Sequence, residues 1–173
     1  MDNDWLKKSQ GSSLGKILFT NGYYDFNEKK FYDKFIQKYV FFGKIHHKFE
    51  AFDEEDMKYM DSISQRLFYD TLGKEVGDYL IPNLARGLSG ECMKRLIFAI
   101  GDTNCGKGIS TNAISYLIGD YFGSFNAKNL SYRESSQDEA QIMRWALLLR
   151  YKRIIVSNEM KADIVLNGNL FKK

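Results

Sequence analysis

Apolar and polar positions change their period several times along the chain, and each change marks an element. Residues 1–14 are mostly polar and form a loose lead-in. Lys16-Ile-Leu-Phe-Thr-Asn-Gly-Tyr-Tyr-Asp-Phe26 then places two short β-rich runs around Asn21-Gly22, a pair that readily supplies the positive φ angles of a two-residue turn. This predicts a hairpin. The stretch from Phe31 to Phe52 is crowded with aromatics and could hold another strand or two. At Asp53 the pattern turns helical. Glu54, Glu55 and Asp56 make an acidic first turn, and Met57, Met60, Ile63, Leu67, Phe68 and Leu72 follow at helical spacing up to Gly73. Val76, Tyr79, Leu80, Leu84 and Leu88 give a second amphipathic stripe. Pro82 predicts a kink or early stop within it, and Gly87 and Gly90 punctuate its end.

From Lys94 onward the pattern is that of an α/β unit. Arg95-Leu-Ile-Phe-Ala-Ile100 is a short apolar run of the kind found in buried parallel strands. A glycine-bearing loop at 101–108 leads into a helical stretch through about Phe122. Ser136-Gln-Asp-Glu139 has the spacing of a capping box, opening a helix whose face carries Ile142, Met143, Ala146 and Leu147. Lys152-Arg-Ile-Ile-Val-Ser157 is a second buried-strand candidate. Strand, loop, helices and strand in this order predict at least two parallel strands and a boundary near residue 90.

Composition narrows the class without choosing a function. The 173 residues are 44% hydrophobic and 27% charged, which excludes a wholly disordered chain, and one proline excludes collagen-like material. No apolar run is long enough for a membrane span, and the N-terminus lacks the apolar core of a secretory signal. Two cysteines make neither a disulfide framework nor a four-ligand zinc site, so an intracellular, reducing setting is the expectation. A formal net charge of +3 neither demands nor excludes nucleic acid.

The most specific chemistry lies in Gly101-Asp-Thr-Asn-Cys-Gly106-Lys107-Gly108, which has the Walker A spacing Gly-x4-Gly-Lys. Gly101 and Gly106 let the backbone fold tightly, so that successive N–H groups, with those of Asp102, Thr103, Asn104, Cys105, Gly108 and Ile109 nearby, converge on phosphate oxygens. Lys107 would bring its charge to the terminal phosphates, and the following helix would add its dipole. The bland alternative is a structural glycine turn. Gly108 stands where a Ser or Thr usually ligates Mg²⁺, which leaves Ser110 or Thr111 as candidate metal-ligating hydroxyls. Cys105 is either a reactive thiol near a helix N-terminus or simply a small residue. Farther on, Arg153-Ile-Ile-Val-Ser-Asn-Glu159 ends a strand in a carboxylate, the arrangement that delivers an acid to Mg²⁺ and the attacking water.

The set resembles a known family. Gly-Asp-Thr-Asn-Cys-Gly-Lys, with Asn104 two residues before the second glycine, is similar to the Walker A of superfamily 3 helicases, in particular the primase-helicases of poxviruses, other large DNA viruses and some phages. Asn21-Gly-Tyr-Tyr-Asp-Phe26, Leu84-Ala-Arg-Gly-Leu-Ser-Gly90 and Lys152-Arg-Ile-Ile-Val-Ser-Asn-Glu159 resemble, in the same order, elements before and within that family's core. Leu166-Asn-Gly-Asn-Leu-Phe-Lys-Lys173 resembles the start of its next motif, with Lys172 or Lys173 as the leading lysine. The resemblance implies an α/β phosphate-loop NTPase core, AAA+-like and incomplete, at 91–173, behind a small mixed α+β and helical accessory region at 1–90. It implies ATP and Mg²⁺ as ligands, with Gly101 to Ile109 as the cradle and Lys107 and Glu159 as catalytic residues, Glu159 acting on the metal directly or through water. It further implies DNA as partner, a homo-oligomeric ring, usually a hexamer, no membrane, and ATP-driven unwinding in the cytoplasm or at a viral replication site. The chain would stop before the sensor and the arginine finger, and so would bind nucleotide but hydrolyse it poorly alone.

Two other functional readings stay open at this stage. Gly-Lys-Gly also occurs in nucleotide or small-molecule kinases, and a catalytically inactive nucleotide-binding or interaction module would keep the same loop. His46-His47 is a poor metal pair, because adjacent strand positions face opposite ways. Lys7-Lys8, Lys29-Lys30 and Lys172-Lys173 could touch nucleic-acid phosphates, but short lysine pairs usually form solvated faces. The aromatics of 31–52 could stack bases, although core packing is the stronger reading. Nothing separates Arg133 and Arg144 from ordinary surface charge.

Overall fold

A computed structural model of the chain describes residues 4–5, 9–93, 95–102, 104–131, 139–157 and 165–168. It begins with a three-stranded antiparallel sheet of β1 (Lys16–Phe19), β2 (Gly22–Asp25) and β3 (Lys30–Tyr32), in that order. Period-two alternation puts Ile17 and Phe19 into the core. The expected hairpin forms, one residue earlier than the Asn-Gly pair suggests. Phe19 pairs with Gly22, so Thr20 and Asn21 are the turn. Gly22 is needed as a strand residue instead: its φ is +153°, and a Cβ there would lie 2.1 Å from Tyr32 O.

β3 is the one strand that reaches into the aromatic stretch 31–52, and the segment 33–52 beyond it holds no second one. It is fixed by single bonds to the hairpin, with Ile45 N donating to Leu18 O (2.8 Å) and Thr20 N to His47 O (3.3 Å). Asn21 replaces a ladder pair with its side chain. Its Nδ2 donates to Phe49 O (2.9 Å) and its Oδ1 accepts from Phe49 N (2.8 Å). That satisfies a backbone donor and acceptor without β geometry. The aromatics of this segment mostly pack: Phe49 stacks on Phe31 at 4.5 Å and meets Phe19 edge-on at 5.3 Å. Phe35 and Phe52 are exposed.

The helices follow the acidic and apolar pattern closely. α1 (Glu54–Ser64) starts at the Asp53 cap, whose side chain accepts from Glu55 N and Asp56 N while Asp56 bonds back to Asp53 N. A π-helical turn (Gln65–Tyr69) and the short α2 (Asp70–Leu72) carry it to Gly73. α3 (Lys74–Ser89) continues past Pro82, where a kink or early stop was expected, so the early stop does not occur. The lost backbone bond is outweighed by packing: Asn83 and Gly87 are buried, and Leu88 sits against the core. A left-handed Gly90 closes the helix.

In the second half, α4 (Lys107–Ile118) and a 3₁₀ turn (Gly119–Tyr121) lead into β4 (Phe122–Ser124). A second 3₁₀ turn (Ala127–Leu130) and α5 (Glu139–Leu147) precede β5 (Ile154–Val156). β4 and β5 pair in parallel, with Phe122 opposite Ile154 and Ser124 opposite Val156. β5 thus lies within the expected strand at 152–157, but its described partner is β4 and not the run at 95–100. Residues 95–100 are irregular, and Leu96, Ile97, Phe98 and Ile100 are exposed, the last at 96%. A parallel strand is held by its neighbours' hydrogen bonds, and this run joins no ladder among the described residues. The Ser136 capping box lies outside the described residues.

The buried cluster draws on both sides of residue 90. Ile17, Phe19 and Ile45 pack with Ile118 and Tyr121. Tyr121 also accepts a hydrogen bond from Leu18 N at 3.0 Å. Arg153 completes the join, lying over the Tyr121 ring (4.5 Å) while donating to Leu88 O and Ser13 O.

Candidate nucleotide-binding loop

The loop at 101–108 is built by two left-handed residues and the start of a helix. Asn104 (φ +65°) and Gly106 (φ +87°) reverse the backbone just before Lys107 opens α4. Asparagine is among the side chains that tolerate this conformation, which gives position 104 a backbone reason for its identity. Gly106 also sits close to Thr71, 3.3 Å from where a Cβ would be. Cys105 N donates to Asp102 O, and Ser110 N to Gly106 O, as the turn passes into the helix. The loop is largely solvent-exposed, and Ile109 is 68% exposed.

Lys107 dominates the local electrostatics. Its Nζ donates to Gly101 O (2.8 Å), Asp102 O (2.9 Å) and Cys105 Sγ (2.9 Å). The ammonium is therefore held against the loop by three acceptors of one short segment. Phosphate oxygens could compete for it, because an anion offers it stronger, charge-assisted bonds than neutral carbonyls do. The same contact makes Cys105 more than a small residue. The hydrogen bond from Lys107 holds its thiol below the usual pKa, by favouring the thiolate. The signal was present in the sequence as a cysteine two residues before a loop lysine.

The metal-ligating candidates are less well served. Gly108 carries no hydroxyl, and a side chain there would meet open space. Thr111 Oγ1 donates to Lys107 O (2.9 Å), a bond internal to the helix. Ser110 lies in the first turn of α4, half-buried. Among the described residues no group of three or more His, Cys, Asp or Glu side chains comes together. Thr103, Asn158, Glu159, Lys172 and Lys173 lie outside the described residues, as does Arg133. His46 and His47 lie in a bend and not on a strand as supposed, and they take different partners, His46 meeting Asp120 Oδ1 (3.0 Å) and His47 Lys48 O (3.1 Å). No helix of the described residues is long and apolar enough to cross a membrane.

No family model matches the chain. It is similar to a protein of Sputnik virophage named "Putative helicase V13", with 37% identity over 174 residues covering 99% of this chain. The same alignment covers 22% of the virophage protein, so this chain spans about a fifth of that relative's length. The similarity extends through the loop at 101–108 and through the hairpin, helices and β5 segment around it.

Proposed function

We propose that this chain is the ATP-binding part of a DNA helicase of the superfamily 3 primase-helicase type, acting in viral or phage-like DNA replication. The observation that carries the reading is the Lys107 ammonium, poised over a loop with a left-handed Asn104–Gly106 reversal at the head of α4. Similarity along the whole chain to a virophage protein named as a helicase supports the same reading. On it, Lys107 exchanges Gly101 O and Asp102 O for the terminal phosphate oxygens of ATP, while backbone N–H groups at the start of α4 meet the rest of the polyphosphate. When bound, Mg²⁺ would draw charge from the phosphates, with Ser110 and Glu159 as the candidate side chains near it. Glu159 would also orient the attacking water. DNA and a homo-oligomeric ring belong to the same proposal, at the level of the whole protein.

The test is a chimera. The virophage relative, with its matching segment replaced by this chain, is assayed for ATP-dependent strand separation on a forked DNA. Unwinding that is lost with Lys107→Ala and with Glu159→Gln is the expected result. A chimera that binds ATP without turning it over identifies an inactive nucleotide-binding module, and one indifferent to Lys107→Ala overturns the reading.

A further inference from the structure

The helical turn ahead of α2 is wound more widely than an α-helix. Between Gln65 and Tyr69 it is a π-turn, with Asp70 N donating to Gln65 O. Such a turn uses one residue more than an α-turn, so it rotates every side chain after it about the helix axis. Two side chains brace it. Gln65 Nε2 donates to Asp70 Oδ1 (2.8 Å), and Thr71 Oγ1 donates to Arg66 O (2.8 Å). Behind it, the Tyr69 ring lies against the buried Gly77 of α3, where a Cβ would come within 2.8 Å of it. These contacts fix the rotation of α2.

That rotation brings one side chain from before residue 90 against the loop at 101–108. Thr71 Cγ2 lies 3.3 Å from the place a Cβ on Gly106 would take. Among the described residues no other atom beyond the glycine's chain neighbours lies within 4 Å of that place. Gly106 carries the left-handed reversal (φ +87°) that precedes α4. A glycine has more backbone alternatives than any other residue, because no Cβ restricts it. Here the restriction comes from outside, from a methyl group packed where the glycine has no side chain. The Thr71 hydroxyl aims that methyl, since a β-branched side chain has few rotamers in a helix and the bond to Arg66 O selects among them. The two branches of one threonine thus have separate duties: the hydroxyl braces the π-turn, and the methyl covers the glycine.

We propose that Thr71 is a positioning residue for the nucleotide loop: its methyl group holds Gly106 in the left-handed reversal, and so sets the loop and Lys107 for a polyphosphate before one binds. The proposal rests on the reading of 101–108 as a nucleotide-binding loop and extends it, because it makes a residue of the first 90 part of the site's preorganisation. A purely structural role for Thr71 would run through the hydroxyl. The two roles therefore respond to opposite substitutions.

The test pairs Thr71→Ser, which keeps the hydroxyl and drops the methyl, with Thr71→Val, which keeps the methyl and drops the hydroxyl. Each full chain, in a Cys92→Ser background, is titrated with a fluorescent ATP analogue. Its Cys105 is also alkylated without nucleotide, as a reading of the Lys107 contact alone. Thr71→Ser is expected to weaken nucleotide binding about threefold, a little less than one fully buried methyl group is worth, and to slow the alkylation. Thr71→Val is expected to stay near wild type in both. Wild-type behaviour of Thr71→Ser in either reading, or a loss in Thr71→Val as large as in Thr71→Ser, would overturn the proposal while nucleotide binding by the wild type stands. A wild type that binds no analogue would overturn the nucleotide reading itself, and this proposal with it.

Discussion

Lys107 and Asp25 show how much one ion's surroundings decide. The Lys107 ammonium is exposed and its partners carry no formal charge, so its contacts are exchangeable for an anion's. Cys105 reports on that exchange, because its lowered pKa is due first to the Lys107 hydrogen bond. In a Cys92→Ser background, alkylation of Cys105 at neutral pH should be fast, should slow when Lys107→Ala removes the donor, and should also slow when ATP draws the ammonium away. Equal rates in all three states would contradict the contact. Asp25 is the opposite case. It is buried and pairs with Lys16 at 2.9 Å, while also accepting from Asn27 N and Glu28 N. Burial works to raise its pKa, but the Lys16 bond and the two backbone donors prevail and hold it below the ordinary 3.8. A depressed folded-state value means that the stabilisation is fully present above the unfolded pKa and is lost as pH falls through the folded one. Urea unfolding should therefore show a stability drop below about pH 4. Asp25→Asn should cost about 3–5 kcal/mol at pH 7 and flatten that drop.

At the scale of elements, local chemistry was the most legible. The Asp53 cap, the stripe that follows and the Gly73 and Gly90 ends are short-range signals, and the helices sit where they place them. The Asn21-Gly22 pair announced a hairpin, yet the turn is Thr20–Asn21, because the Asn21 amide is drawn to Phe49 and Gly22 to Tyr32 O. Those partners are 28 and 10 residues away, and no local pattern carries them. β4 went unforeseen for a similar reason: Phe-Gly-Ser is too short to show a period and exists through its pairing with β5. In the candidate site, loop spacing and the lysine were legible; the lysine's turn back onto Gly101 O and Cys105 Sγ was not. The run 95–100 shows apolar content without a ladder. Hydrogen exchange should accordingly find its amides unprotected while those of β5 are slow, and strong protection at 95–100 would mean that it pairs as a strand.

Across the whole molecule, the sequence boundary near residue 90 runs through a shared core. The hairpin buries Ile17 and Phe19 against Ile118 and Tyr121, and Arg153 ties β5 to the end of α3 and to the lead-in. A single cooperative melt is expected, with Tyr121→Phe lowering stability by about 1–2 kcal/mol because Leu18 N loses its acceptor. Residues 1–90 alone should give no cooperative transition by circular dichroism; a sharp melt of that piece would show that the first half holds its own core.

The loop at 101–108 sits at the head of α4, whose far end is packed into that shared core, and the proposal of nucleotide capture there is the central claim. Its most direct test is equilibrium titration of the 173-residue chain with a fluorescent ATP analogue, in wild type and Lys107→Ala. Saturable binding, displaced by unlabelled ATP and weakened about tenfold or more by the substitution, is the expected result. Absence of binding in the wild type, or equal affinity in the variant, would contradict it.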